Sequence, residues 1–242
     1  MKLAVCIPCV NGHIQLLNQT LKYIEAQTRK ADLIVVSVSA RIPDPKNEID
    51  ISGLTVPIRI LYTPKRLYAG ANRNIAAAEA VKEGATHLSF FDADDIMHPR
   101  RLECIEQAYS KNPELVGFIH CFLVGYKHNM EIYKGNVEIP WEPISNDFMP
   151  NIYEPGDYNG CGIIKFQRCF KRARRGYGMG ANGHLTVLAN FWEANPYLET
   201  IGMGEDNHFS CSIIKEKKML GYTGDTLSVY MRTDIKDFMI GL

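Results

Sequence analysis

Apolar positions fall in short runs along the first two-thirds of the chain, and their spacing alternates between two periods. "KLAVCIPCV" (residues 2–10) is almost continuously apolar and predicts a buried strand. In "HIQLLNQTLKYIEAQT" (13–28), Ile14, Leu17, Leu21 and Ile24 recur at helical spacing. "ADLIVVSVSA" (31–40) and "VPIRILYT" (56–63) predict a second and a third strand. The Ala-rich "AGANRNIAAAEAVKEGA" (69–85) predicts a helix opening after Gly70 and closing near Gly84. "THLSFF" (86–91) is a fourth strand. "HPRRLECIEQAYSKNP" (98–113) is a helix with Pro99 suited to its first turn, and "ELVGFIHCFLVGYK" (114–127) is again a strand.

Strands alternating with amphipathic helices predict an α/β fold whose mainly parallel sheet is covered by helices on both faces. In such open sheets ligands bind at the carboxyl ends of the strands. From about residue 127 the pattern loosens: residues 127–160 hold four Pro and three Gly, which predicts loops with one hairpin. Helical spacing returns in "KFQRCFKRARR" (165–175) and "EDNHFSCSIIKEKK" (205–218), before a short strand "TLSVYMR" (226–232). No repeat, low-complexity tract or interdomain linker interrupts the sequence, so residues 1–242 are expected to form one domain.

Composition narrows the function. Lys plus Arg and Asp plus Glu both number 27, so nothing points to nucleic acid or anionic lipid as the main partner. The opening residues are too short an apolar run for a signal peptide, and no stretch approaches the roughly 20 apolar residues of a membrane span. Seven cysteines, an odd number, fit reduced thiols in a cytosol-like compartment. The expected location is cytoplasmic, with peripheral contact at a membrane surface left open.

Against this background "HLSFFDADDIMHPRRL" (87–102) stands out, because it gathers Asp92, Asp94 and Asp95 just past a predicted strand. Carboxylates this close raise one another's pKa unless a positive charge joins them. Asp92 and Asp94 are two apart and in extended backbone point to the same side. A hard divalent cation, Mg²⁺ or Mn²⁺, would resolve the conflict. The plain alternative is a turn, with Asp95 capping the following helix.

The stretch "AGANRNIAAAEAVKEGATHLSFFDADDIMHPRRL" resembles the core of the GT-A-fold, Rossmann-like, inverting nucleotide-sugar glycosyltransferases of the family 2-like group. The matching residues are Gly70, Arg73, Asn74, Asp92, Ala93, Asp94, Asp95, Pro99 and Leu102. The opening "AVCIPCVNGHIQLLNQTLKYIEAQT" is similar to that family's first strand and helix, with Pro8 in the expected place. "GCGIIKFQRCFKRA" and "GMGEDNHFSCSIIKEKKMLGYTGDTLSVYMR" resemble its acceptor-side segment and its closing Glu-Asp helix and strand.

The resemblance implies a nucleotide-binding half over about residues 1–110 and a loop-rich acceptor-binding half over about 111–242. It implies a nucleoside diphosphate sugar as donor, a glycan or other hydroxyl compound as acceptor, and Mn²⁺ or Mg²⁺ as cofactor. Asp94 would hold the metal, Asp92 would contact the metal or a ribose, and Pro8, Val10, Ser39, Arg73, Asp92, Ala93 and Asp94 would line the donor site. Arg73, with Lys65 or Arg66, would add charge-assisted bonds to phosphate. Asp206, beside Glu205, would be the general base that takes the acceptor's proton. The plain reading of Glu205-Asp206 is a favourable pairing with a helix dipole.

Two departures from the family pattern matter. The second strand ends in Ser37, Val38 and Ser39, where relatives carry an acidic pair for the nucleobase and ribose. After the last strand "YMRTDI" lacks the metal-binding His of many relatives, which leaves Asp234 or water to complete the shell. Weaker signals are a Cys6-x-x-Cys9 redox motif and a phosphatase-like use of Gly224 and Asp225. A basic run Lys171 to Arg175 could meet an anionic acceptor, and Trp141 could stack on an acceptor sugar, whereas Trp192 reads as core and His98 and His208 as local hydrogen-bonders. A nucleotidyltransferase of related architecture and a silent carbohydrate-binding domain are the alternative functions.

Overall fold

The computed structural model describes residues 1–40, 48–126, 139, 141–153, 177–179 and 184–232. The predicted helix at 165–175, the basic run within it and Asp234 lie outside the described residues.

The first half of the sheet follows the apolar runs. Strands β1 (Leu3–Val10), β2 (Leu33–Ser39), β3 (Ile58–Thr63) and β4 (His87–Phe90) pair in parallel in the order β3-β2-β1-β4. Helices α1 (Ile14–Glu25), α2 (Ala69–Lys82) and α3 (Arg101–Lys111) connect or follow them. The helix α3 starts two residues beyond Pro99, with Arg100 as its first boundary residue.

Period-two alternation sorts β1 onto two cores. Leu3, Val5, Ile7 and Cys9 pack with α1 and α3, whereas Ala4 and Cys6 pack with the Ala76, Ala77 and Ala80 face of α2. Buried alanines let α2 lie close on the sheet, and both faces of β1 and β2 are covered.

Beyond β4 the sheet becomes mixed. β9 (Thr186–Leu188) runs antiparallel between β4 and β6 (Leu115–Tyr126), and β10 (Met219–Arg232) lies parallel to β6. The two-residue β5 (Ile96–Met97), β7 (Asn151–Tyr153) and β8 (Tyr177–Met179) add antiparallel edges. The short helix α4 (Ala189–Ala194) and the helix α5 (Glu205–Lys215) complete the second layer through Phe191, Trp192, Phe209 and Ile213.

The closing strand is longer than "TLSVYMR". It begins at Met219 and carries register shifts between Thr223 and Ser228, where Gly224 and Asp225 occupy a bulge instead of a phosphatase site. Cys6 and Cys9 face opposite sides of the sheet, and burial pushes the Cys9 thiol up to about 12 and Cys6 higher still, the opposite of a redox thiolate. Among the described residues no helix is long and apolar enough to cross a membrane.

Candidate active site

The carboxyl ends of β1, β2 and β4 and the first turns of α2 and α5 meet along one edge of the sheet. Arg73 stands at their centre, 3% exposed. Its Nη2 donates to Asp92 Oδ1 at 2.7 Å and its Nη1 to Glu205 Oε1 at 2.6 Å. One guanidinium thus joins two acidic motifs that lie far apart in sequence, Glu205 being 132 positions beyond Arg73. Its Nε–H is buried and has no partner among the described residues, and the guanidinium also lies 5.3 Å from the centre of the Tyr197 ring.

Two neighbours of Arg73 explain how the sequence brings this about. Gly70, one turn earlier, faces the chain at Leu198: an added methyl would overlap the Leu198 carbonyl oxygen and touch Glu205 Cγ. Only a residue without a side chain lets α2 approach that segment. Asn74 accepts from the Trp192 indole at 3.1 Å and from the Tyr197 backbone N–H at 3.0 Å. Its amide donates to the Tyr197 carbonyl and to Glu199, both at 2.9 Å. The segment leading to α5 is therefore clamped to α2, and Gly204, at φ +85°, turns the chain into α5 so that Glu205 and Asp206 open its first turn.

The acidic turn is fixed from α1. The Thr20 hydroxyl lies 2.9 Å from both the Ala93 and the Asp95 carbonyl oxygens. Asp95 is fully buried and does not cap α3. Its Oδ1 accepts the Met231 backbone N–H at 2.8 Å, and its Oδ2 lies 2.6 Å from His184 Nε2. The Ser228 hydroxyl meets His184 Nδ1 at 2.8 Å. Burial pushes Asp95 well above the usual carboxylate range, with Asp92 adding to it, and pushes His184 down to about 3.

Behind them Arg101, also fully buried, donates to Ser89, to the His184 carbonyl and to His120 Nε2. His120 Nδ1 donates to the Cys121 carbonyl, so Nε2 is the acceptor. Burial lowers Arg101 to about 9, which leaves it charged at neutral pH.

Asp94 is in a different position. Its carboxylate is 19% exposed and, among the described residues, His13 Nδ1 lies 3.9 Å from it. Desolvation, then Asp95 and Asp92, push it up to about 7, against the pull of His13. Among the described residues the acids here outnumber the positive charges beside them, which is the condition a cation relieves.

Single ligand atoms of Asp92, Asp95 and His184 lie within 4.8 Å of one another, a donor set that could take a metal ion. In that trio, however, Asp95 and His184 already spend both of their polar atoms on each other, Ser228 and Met231. Asp92 and Asp94 keep part of their surface open, at 20% and 19%.

The other expected donor-site residues share this edge. Ser39 is buried at the end of β2 and its hydroxyl accepts from Asn72 at 2.9 Å, while Ser37 donates to the same amide's oxygen. Pro8 is buried in β1 opposite Ser37, and Val10 ends β1 partly exposed. Lys65 and Arg66 are exposed on the loop before α2. Asp206 is partly exposed and raises the phenol pKa of neighbouring Tyr197, after burial as the main cause. Trp192 is core, and Trp141 packs edge-on against His98 at 4.7 Å.

Comparison with known proteins identifies the family. A family model described as Glycosyl transferase family 2 matches residues 4–171. Among solved structures, S. aureus TarS 1–349 in complex with UDP is similar, at a TM-score of 0.63 and 12% identity, covering 98% of this chain and 62% of that one. The same protein in complex with UDP-GlcNAc gives a TM-score of 0.63 and 12% identity, over 97% and 59% of the two chains. The chain therefore spans less than two-thirds of those structures, and the likeness to them is one of fold. No curated protein gives a match.

Proposed function

The chain belongs to glycosyl transferase family 2, and on that premise we propose that it moves a sugar from a nucleoside diphosphate donor to a hydroxyl acceptor with inversion. The observation that carries this reading is the Arg73 fork between Asp92 and Glu205, which makes one site of a donor-side and an acceptor-side acid.

Asp94, with Asp92, would hold a divalent cation; the donor set of partly open carboxylates fits a hard ion better than the spent Asp95–His184 pair does. When bound, that ion offsets charge growing on the departing diphosphate. The chain's own residues do the rest. Pro8, Val10, Ser39 and Ala93 line the donor edge, and Arg73 holds Asp92 and Glu205 in register. Asp206 takes the proton from the acceptor hydroxyl while that oxygen bonds to the anomeric carbon. The bond from that carbon to the diphosphate oxygen breaks, and its electron pair leaves with the nucleotide. A single displacement inverts the anomeric centre and needs no covalent enzyme intermediate.

The S. aureus protein's complexes with UDP and UDP-GlcNAc make uridine nucleotides the first donors to try. The test is Asp206→Asn. It should leave donor affinity within about twofold and lower kcat by at least about a hundredfold, the range of a lost general base. A drop of only twofold would remove Asp206 from that role.

A further inference from the structure

We propose that His13 supplies a nitrogen ligand to the same cation as Asp94, an inference that rests on the metal reading above. His13 ends the 3-10 turn Asn11–His13 that follows β1, and its side chain makes no capping bond to α1. The ring is 27% exposed and faces Asp94 across the mouth of the site.

The separation carries the argument. His13 Nδ1 and Asp94 Oδ2 are 3.9 Å apart, too far for a hydrogen bond, which closes to about 2.7–3.2 Å. Two ligands of one small divalent ion, each about 2.1 Å from it, lie about 3.0 Å apart when adjacent and about 4.2 Å apart when opposite. The observed spacing falls between those limits, and a shift of under about 1 Å by either partly exposed side chain reaches one of them.

His184, the other imidazole nearby, is fully buried and has both ring nitrogens engaged, by Asp95 and Ser228. It could bind metal only by surrendering the contact at whichever nitrogen it used, to Asp95 or to Ser228. A shell mixing imidazole with carboxylate favours Mn²⁺ over Mg²⁺, because Mg²⁺ is the harder ion and prefers oxygen.

Electron spin echo modulation of Mn²⁺ bound to the full chain reads directly whether a ¹⁴N nucleus is coordinated. The native protein should show the nitrogen coupling, and His13→Ala should lose it. His13→Ala should also weaken Mn²⁺ about tenfold or more in titrations, and Mg²⁺ by less. His13 is partly exposed and outside the buried core, so its truncation should leave the fold intact, which circular dichroism checks.

Nitrogen coupling that persists in His13→Ala would assign the ligand to another imidazole and overturn the inference. Mn²⁺ bound with no nitrogen coupling in the native protein would overturn it too, while leaving Asp94 as a metal ligand. No Mn²⁺ binding, with or without a nucleoside diphosphate, would overturn both the inference and the metal reading beneath it.

Discussion

Replacing Arg73 by methionine would leave the Asp92 and Glu205 carboxylates beside each other with nothing positive between them. Their side chains are 20% and 8% exposed, so water can screen Asp92 in part and Glu205 hardly at all. Breaking a buried ion pair from one side costs about 3–5 kcal/mol, since the abandoned charge keeps its desolvation penalty. In a domain of this size each kcal/mol moves Tm by about 2–4 °C, so Arg73→Met should lower it by about 6–20 °C.

A double variant separates the charge effect from lost packing. Arg73→Met with Glu205→Gln removes the orphaned anion and should recover part of the loss, whereas Glu205→Gln alone should destabilise. Arg73→Lys should fall between, because one ammonium replaces two nitrogens that sit 2.6 and 2.7 Å from separate carboxylates. Differential scanning fluorimetry at low salt reads all four. A drop below about 2 °C in Arg73→Met, or a double variant no more stable than the single, would refute the view that this guanidinium binds the two motifs together.

Other positions are expected to respond as follows. Gly70→Ala meets backbone at Leu198, so it should cost about 1–3 kcal/mol by urea unfolding and depress transfer as well, the acidic turn at Glu205 being pushed away. Asn74→Ala strands the Trp192 indole and the Tyr197 N–H, a loss of about 1–3 kcal/mol that tryptophan fluorescence during unfolding would report. Partial desolvation of Glu25 is outweighed by bonds from Thr55 and Lys30, which hold its carboxyl at about 2. Its contribution is therefore present above about 4.5 and lost as pH falls toward 2. The stability gap between the native chain and Glu25→Gln should accordingly narrow from pH 6 to pH 3.

The long periodic elements were legible in sequence because each buries one regular face: Ile14, Leu17, Leu21 and Ile24 in α1, and the alternating residues of β1. The acidic motifs were legible too, together with Arg73. What escaped is set by contacts between distant residues. β5, β7 and β9 are two or three residues long, too short to show a period, and exist only because β10, β4 and β6 pair with them.

The closing strand was expected to begin at Thr226, yet Gly221 already sits inside β10, where a side chain would strike Leu115 and Phe118. His184 carries no motif, and its place beside Asp95 and Ser228 comes from β9 inserting between β4 and β6. Asp95 looked like a helix cap, but a buried imidazole and a strand N–H claim it. Trp141, a candidate to stack on an acceptor sugar, is partly exposed and leans on His98 and the β5–β10 edge.

The most direct measurement is anomalous scattering at the manganese edge from crystals grown with Mn²⁺ and UDP. A peak touching the Asp94 carboxylate and the diphosphate oxygens is the predicted result. An empty map around Asp94, or a peak enclosed by Asp95 and His184 away from the nucleotide, would contradict it.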